Sequence, residues 1–133
     1  MVNRKEYSKP GPGQESVWDY PRPPRLEDSA RHIQIESGGL IIADSSRSRR
    51  VLETSHPPVY YIPPDDIELT LLRPTSGSSW CEWKGSASYF DLIIGDQTVS
   101  RVAWTYSNPS PGFEPIQHYI AFYLSLIHIS EPT

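Results

Sequence analysis

Three charged side chains stand inside apolar or aromatic blocks of this 133-residue chain, which makes them candidates for chemistry. Arg50 and Glu53 bracket Val51-Leu52, and Lys84 follows Trp83 and precedes Gly85. A charge in such surroundings needs a partner, because burying it alone is costly. Glycine beside Lys84 would let a ligand approach closely. Two readings stay open. One is a structural salt bridge, Glu53–Lys84 or Glu53–Arg50. The other is a pocket in which Arg50, Glu53 and Lys84 orient a small polar ligand between Tyr61, Tyr89 and Trp104.

Other constellations carry less. Cys81 and His56 have the types for a thiolate–imidazole pair, since a nearby imidazolium lowers a thiol's pKa. A lone cysteine between Trp80 and Trp83 reads instead as a small buried hydrophobe. Two-metal group transfer needs carboxylates converging on one point. Asp65 and Asp66 are neighbours, which an extended chain sends to opposite faces, and Asp66 with Glu68 reads as a solvated strand start. No Gly-rich phosphate loop with Lys and Ser/Thr follows a strand. The expectation is no metal, no cofactor and no identified catalytic residue. Arg22, Arg25, Arg47, Arg49 and Arg50 lie among aromatics, yet the run Ser45–Arg50 is short and the chain carries a net charge of −4. That balance points away from nucleic acid and from anionic membranes.

Five blocks then stand in a telling order: VWDYPRPPR at Val17–Arg25, GGLIIADS at Gly38–Ser45, RVLETSHPPVYYIP at Arg50–Pro63, CEWKGSASY at Cys81–Tyr89 and AWTY at Ala103–Tyr106. Over roughly residues 15 to 123 they resemble the domain of unknown function family numbered 427. That family is also labelled a nucleotidyltransferase-like domain, so the resemblance implies a nucleotidyl or related transferase. The resemblance further implies a Gly-rich, aromatic segment after Ala121–Tyr123. Here LSLIHISEPT follows at Leu124–Thr133. It matches the translation of a transposon-based sequencing adapter and is expected to add no native packing; the other reading is a natural apolar strand over Leu124–Ile129.

The elements that must position these residues read as short strands. Fourteen prolines and eight glycines oppose long helices. Residues 1 to about 14 have almost nothing to bury and read as a disordered arm. Pro21, Pro23 and Pro24 then hold Val17–Pro24 extended. Gly38–Gly39 closes a hairpin of His32–Glu36 with Leu40–Asp44, placing Ile35 opposite Ile42. Ser45–Arg49 reads as a polar loop; Val51–Thr54, Val59–Ile62 and Ile67–Leu72 read as strands, with a turn at His56–Pro58. Gly95–Asp96 closes a second hairpin, Ser86–Ile94 with Gln97–Tyr106, through a type II′ turn. Its register places Tyr89 opposite Val102, Arg101 opposite Phe90 and Ala87 opposite Trp104. Both faces of that ribbon are apolar near its open end, so it should lie between layers or curl into a barrel. Phe113–Tyr123 combines a helical turn with a strand.

The whole is expected to be one mainly β domain over 15–123, a small antiparallel curled sheet or open barrel with little helix. No apolar run is long enough to cross a bilayer and no signal core opens the chain, so the expectation is a soluble, cytoplasmic protein. With Cys81 as its single cysteine, it forms no internal disulfide. Functionally it reads as a small-molecule-binding domain, with catalysis left open. The alternatives are the transferase and a non-catalytic protein interaction module. Oligomeric state is not legible.

Overall fold

The computed structural model describes residues 16, 18, 20, 24–54, 56–81 and 83–130. The arm at residues 1–14 and most of Val17–Pro24 lie outside these. Ten strands follow: β1 (Arg25–Ser29), β2 (His32–Ser37), β3 (Leu40–Ser45), β4 (Ser48–Leu52), β5 (Val59–Ile62), β6 (Leu72–Cys81), β7 (Gly85–Ile94), β8 (Gln97–Thr105), β9 (Ile120–Phe122) and β10 (Ile127–Ser130). The fold is mainly antiparallel β, with helical geometry confined to short 3-10 turns among the described residues. Seven strands form one sheet in the order β1-β4-β5-β9-β8-β7-β6, three form another in the order β10-β2-β3, and neither closes into a barrel.

Alternation along the strands builds two cores on opposite faces of the large sheet. One face meets the small sheet. Ile33 and Ile35 from β2 and Ile42 from β3 pack there with Ile62, Leu92, Ala103 and Phe122 from the large sheet. The other face carries Val51, Tyr61, Ala87, Tyr106 and Ala121, with Phe113 and Ile116 folded over them from the segment after β8. The layered position expected for the β7–β8 ribbon is therefore observed.

Both hairpins form, and both contain an irregularity that sequence spacing does not show. Gly38 and Gly39 take φ 59° and 79°, joining β2 to β3. A bulge then places Ile35 opposite Ala43 rather than Ile42, which lets Ile42 reach the core. At the second turn Gly95 has φ 60°, and Ile94 faces Gln97 as expected. Beyond Leu92–Val99 the register shifts, so that Ser100, Arg101 and Val102 stand opposite Asp91 alone. Tyr89 consequently faces Trp104 and Phe90 faces Ala103, correcting the expected Tyr89–Val102, Phe90–Arg101 and Ala87–Trp104 pairs. Because two residues are inserted, Trp104 keeps its face and Val102 moves to the aliphatic core.

Three segments differ from expectation. Ser48 and Arg49, placed in a polar loop by composition, belong to β4 together with Arg50, and Ser48 and Arg50 are buried there. Ile67–Leu72 is not a strand. Pro63–Pro64 starts a 3-10 turn, Ile67 makes one isolated bridge to Ala43, and a second turn leads into β6. The third is the tail. β10 pairs along β2 at the edge of the small sheet, Ile127 opposite Ile35, and Leu126 and Ile127 are half-buried against the aliphatic core. A free strand edge offers backbone partners to any alternating apolar peptide.

Candidate aromatic face

The register lines up one row across the large sheet: Arg49 (β4), Tyr61 (β5), Ala121 (β9), Trp104 (β8) and Tyr89 (β7), each opposite the next. Directly opposed residues share a face, so three of the expected ligand-contacting residues lie together. Ala121 is small enough for the rings on either side of it to meet over its methyl group. The Trp104 indole N–H donates to the Tyr61 hydroxyl at 3.3 Å. Tyr123 packs on Trp104 with ring centroids 5.3 Å apart, and Tyr106 on Tyr61 at 6.2 Å.

Lys84 and Glu53 close one end of this face. Lys84 Nζ lies 3.7 Å from Glu53 Oε1 and 5.9 Å from the centre of the Tyr106 ring. Lys84 is buried and Glu53 half-buried. Lys84 stands in the short connection between β6 and β7, and its carbonyl accepts the Ser110 N–H at 2.9 Å. The space beside Gly85 is taken by the chain itself: a Cβ there would meet the Asn108 carbonyl oxygen at 3.3 Å, and the backbone has φ 104°. The glycine therefore admits the loop after β8 rather than a ligand.

Arg50 does not join this group. It opposes Tyr60 and Glu27, so strand alternation sends it to the other face, where it pairs with Glu27. The His56 ring is engaged by other groups than Cys81: its Nδ1 is 2.8 Å from the Thr54 carbonyl oxygen and 3.8 Å from Glu53. Cys81 is half-buried against Tyr61 and Tyr106, less enclosed than its reading as a core residue implied.

Burial raises the Tyr61 hydroxyl pKa far above its ordinary value, with the neighbouring Tyr106 adding to the effect. Tyr106 is raised likewise, first by burial and then by Cys81 and Tyr89. Both therefore remain neutral hydrogen-bonding groups at physiological pH rather than bases. On this face Tyr61 and Tyr106 are buried, and one neutralised cation stands beside them. The half-buried Trp104 and Tyr89 carry the accessible aromatic area, with their polar tips bonded to Tyr61 and Ser79.

The carboxylates considered for metal chemistry sit elsewhere. Asp66 accepts two hydrogen bonds from Arg47, at 2.9 and 2.8 Å, and one from Ser45 at 2.7 Å. The Arg47 hydrogen bonds hold its carboxyl below the usual carboxylate range, against the opposing effect of burial. Asp66, Asp65, Glu68 and Asp44 line a cleft of about 390 Å³, and no grouping suited to a metal ion occurs among the described residues. The arginines of the expected polar run are held in intramolecular pairs: Arg47 with Asp66, Arg49 with Asp28 and Arg50 with Glu27.

Two features escaped the sequence reading. Trp80, 73% exposed, stands on the outer strand β6 and borders a cleft of about 750 Å³ with Ser86, Ser88 and Asn108. Arg101 sits at the β8 bulge with its guanidinium 4.2 Å from the Tyr89 ring centre. A cation following a Ser in a strand carries no local signal of either the bulge or the stacking. Among the described residues, no helix is long and apolar enough to cross a membrane.

No curated protein matches the sequence. Residues 25–131 match the family described as Domain of unknown function (DUF427), beginning and ending later than the blocks that carry the resemblance, and the chain belongs to that family.

Proposed function

We propose that this chain is a small-molecule-binding β domain whose site is the aromatic face of the large sheet, closed at one end by Glu53 and Lys84. The observation that carries this reading is the row Tyr61, Trp104 and Tyr89, whose polar tips share the face with a buried lysine neutralised at 3.7 Å. Concave sites with apolar, aromatic walls and a few convergent polar groups are the usual form of a ligand site. Tyrosines held in the neutral form suit positioning by hydrogen bonds rather than proton abstraction.

The test is a ligand screen by thermal shift on the parent protein, followed by Lys84→Met combined with Glu53→Gln. That pair of changes removes both charges at similar volume. A folded double variant that no longer binds the selected ligand supports the site. One that binds it unchanged leaves the pair structural. A second reading, an interaction module, draws on Trp80, whose exposure on an outer strand suits a partner surface. Titration against candidate partners with Trp80→Ser distinguishes the two.

A further inference from the structure

We propose that Arg101 is an oxyanion receptor at the rim of the aromatic face, taking the carboxylate or phosphate group of a small aromatic ligand. This rests on the reading of that face as a binding site and adds the ligand's chemical class. Arg101 has φ 51°, a left-handed backbone that glycine or asparagine adopts with less strain. It occupies the bulge opposite Asp91, and such irregularities cluster where a side chain must be re-aimed. The bulge needs only the Arg101 backbone: its N–H donates to Asp91 Oδ1 at 2.8 Å. Asp91 Oδ2 accepts from Arg73 at 3.3 Å.

The side chain goes elsewhere. Its guanidinium carbon lies 4.2 Å from the Tyr89 ring centre, which holds the group at the rim, and its fork of N–H donors suits a planar oxyanion. Arg25, Arg47, Arg49 and Arg73 each have a carboxylate within 4 Å; among the described residues the Arg101 guanidinium has none. Lys84, at the other end of the face, is already neutralised by Glu53. On this face, among the described residues, Arg101 is therefore the cation with no carboxylate within 4 Å. A ring attached to an anion bound there lies beside Trp104, which pairs with Tyr89 across the strands.

The experiment uses phenyl phosphate and benzoate as probes, with benzyl alcohol as the uncharged control, and follows binding by NMR titration of the full chain. The parent protein should bind at least one of the anions and discriminate against the alcohol; which anion binds more tightly tells phosphate from carboxylate. Arg101→Gly, which suits the left-handed backbone, should keep the fold by circular dichroism and weaken the anions at least about tenfold, the scale of one charge-assisted interaction. Arg101→Asn, also tolerant of that backbone, should behave alike. Equal binding by parent and Arg101→Gly overturns the proposal, as does a parent that binds neither anion or does not distinguish benzoate from benzyl alcohol. The Lys84→Met, Glu53→Gln variant separates the two readings. If it still binds the anions while Arg101→Gly does not, the receptor stands without the ion pair. If it alone loses a screened ligand, the receptor fails and the face remains a site.

Discussion

The two faces of the large sheet are made by the same strands, yet they are covered in opposite ways. Toward the small sheet, Ile62, Leu92 and Ala103 meet Ile33, Ile35 and Ile42, and the covering backbone is paired in its own ladder. On the reverse, Tyr61, Tyr106 and Ala121 lie under an irregular segment whose polar groups must find partners one at a time. They do so through Ser110 N–H to the Lys84 carbonyl, Thr105 to the Tyr119 carbonyl and Gln117 to the Ser107 carbonyl. A regular lid permits a dry aliphatic core, whereas an irregular lid selects aromatic rings with polar tips. The second arrangement gives up packing uniformity and retains hydrogen-bonding capacity.

Substitutions can break this contrast. Leu92→Ala on the aliphatic face should cost about 2–5 kcal/mol in urea denaturation, the range for deleting a fully buried leucine. A loss under about 1 kcal/mol would mean that face is not the principal core. Lys84→Met alone strands Glu53 and should cost about 1–3 kcal/mol, reduced from the fully buried case because Glu53 is partly wetted. Adding Glu53→Gln should restore part of that loss; no recovery would show that the two charges are not coupled. The aromatic face should also set the alkaline limit. Tyr61 and Tyr106 hold their protons more tightly folded than unfolded, so their contribution is complete below about pH 10 and is lost as pH rises above it. Absorbance titration of tyrosinate should show these two ionising only with unfolding. The smallest effect belongs to Ser48, whose buried hydroxyl lacks a hydrogen-bond partner among the described residues. Ser48→Ala should be neutral or stabilising by up to about 1 kcal/mol, and a clear destabilisation would reveal a partner for that hydroxyl.

Much of this was legible in advance because it depends on short-range rules. The Gly38–Gly39 and Gly95–Asp96 turns declare themselves by residue type, and Val59–Ile62 by its β-branched and aromatic run. Alternation then put Tyr89 and Trp104 on one face, and the pairing of Glu53 with Lys84 followed from the cost of leaving either charge alone. What failed depends on non-local events. The bulges at Ile42 and Arg101 respond to the curvature that two facing sheets impose, which no window of sequence contains. Arg50 was assigned to the wrong face because its partner, Glu27, comes from a strand whose pairing the sequence does not announce. Gly85 was read as space for a ligand because nothing nearby in sequence says that Asn108–Ser110 returns to fill it.

The narrow join between β5 and β9 has a kinetic consequence. β6, β7 and β8 form a meander of neighbours, and β4–β5 is likewise a local pairing. In the strand ladder the halves pair through Tyr61–Ala121 and Ile62–Ile120, a two-pair seam between residues far apart along the chain. Contacts of that span carry the largest loop-closure cost and form late. Tyr61 lies on one side of the seam and Trp104 on the other, so their hydrogen bond exists only once it has closed. The aromatic face is thus among the last parts of the molecule to assemble, and ligand-binding competence should appear after most of the β-structure signal in a refolding time course.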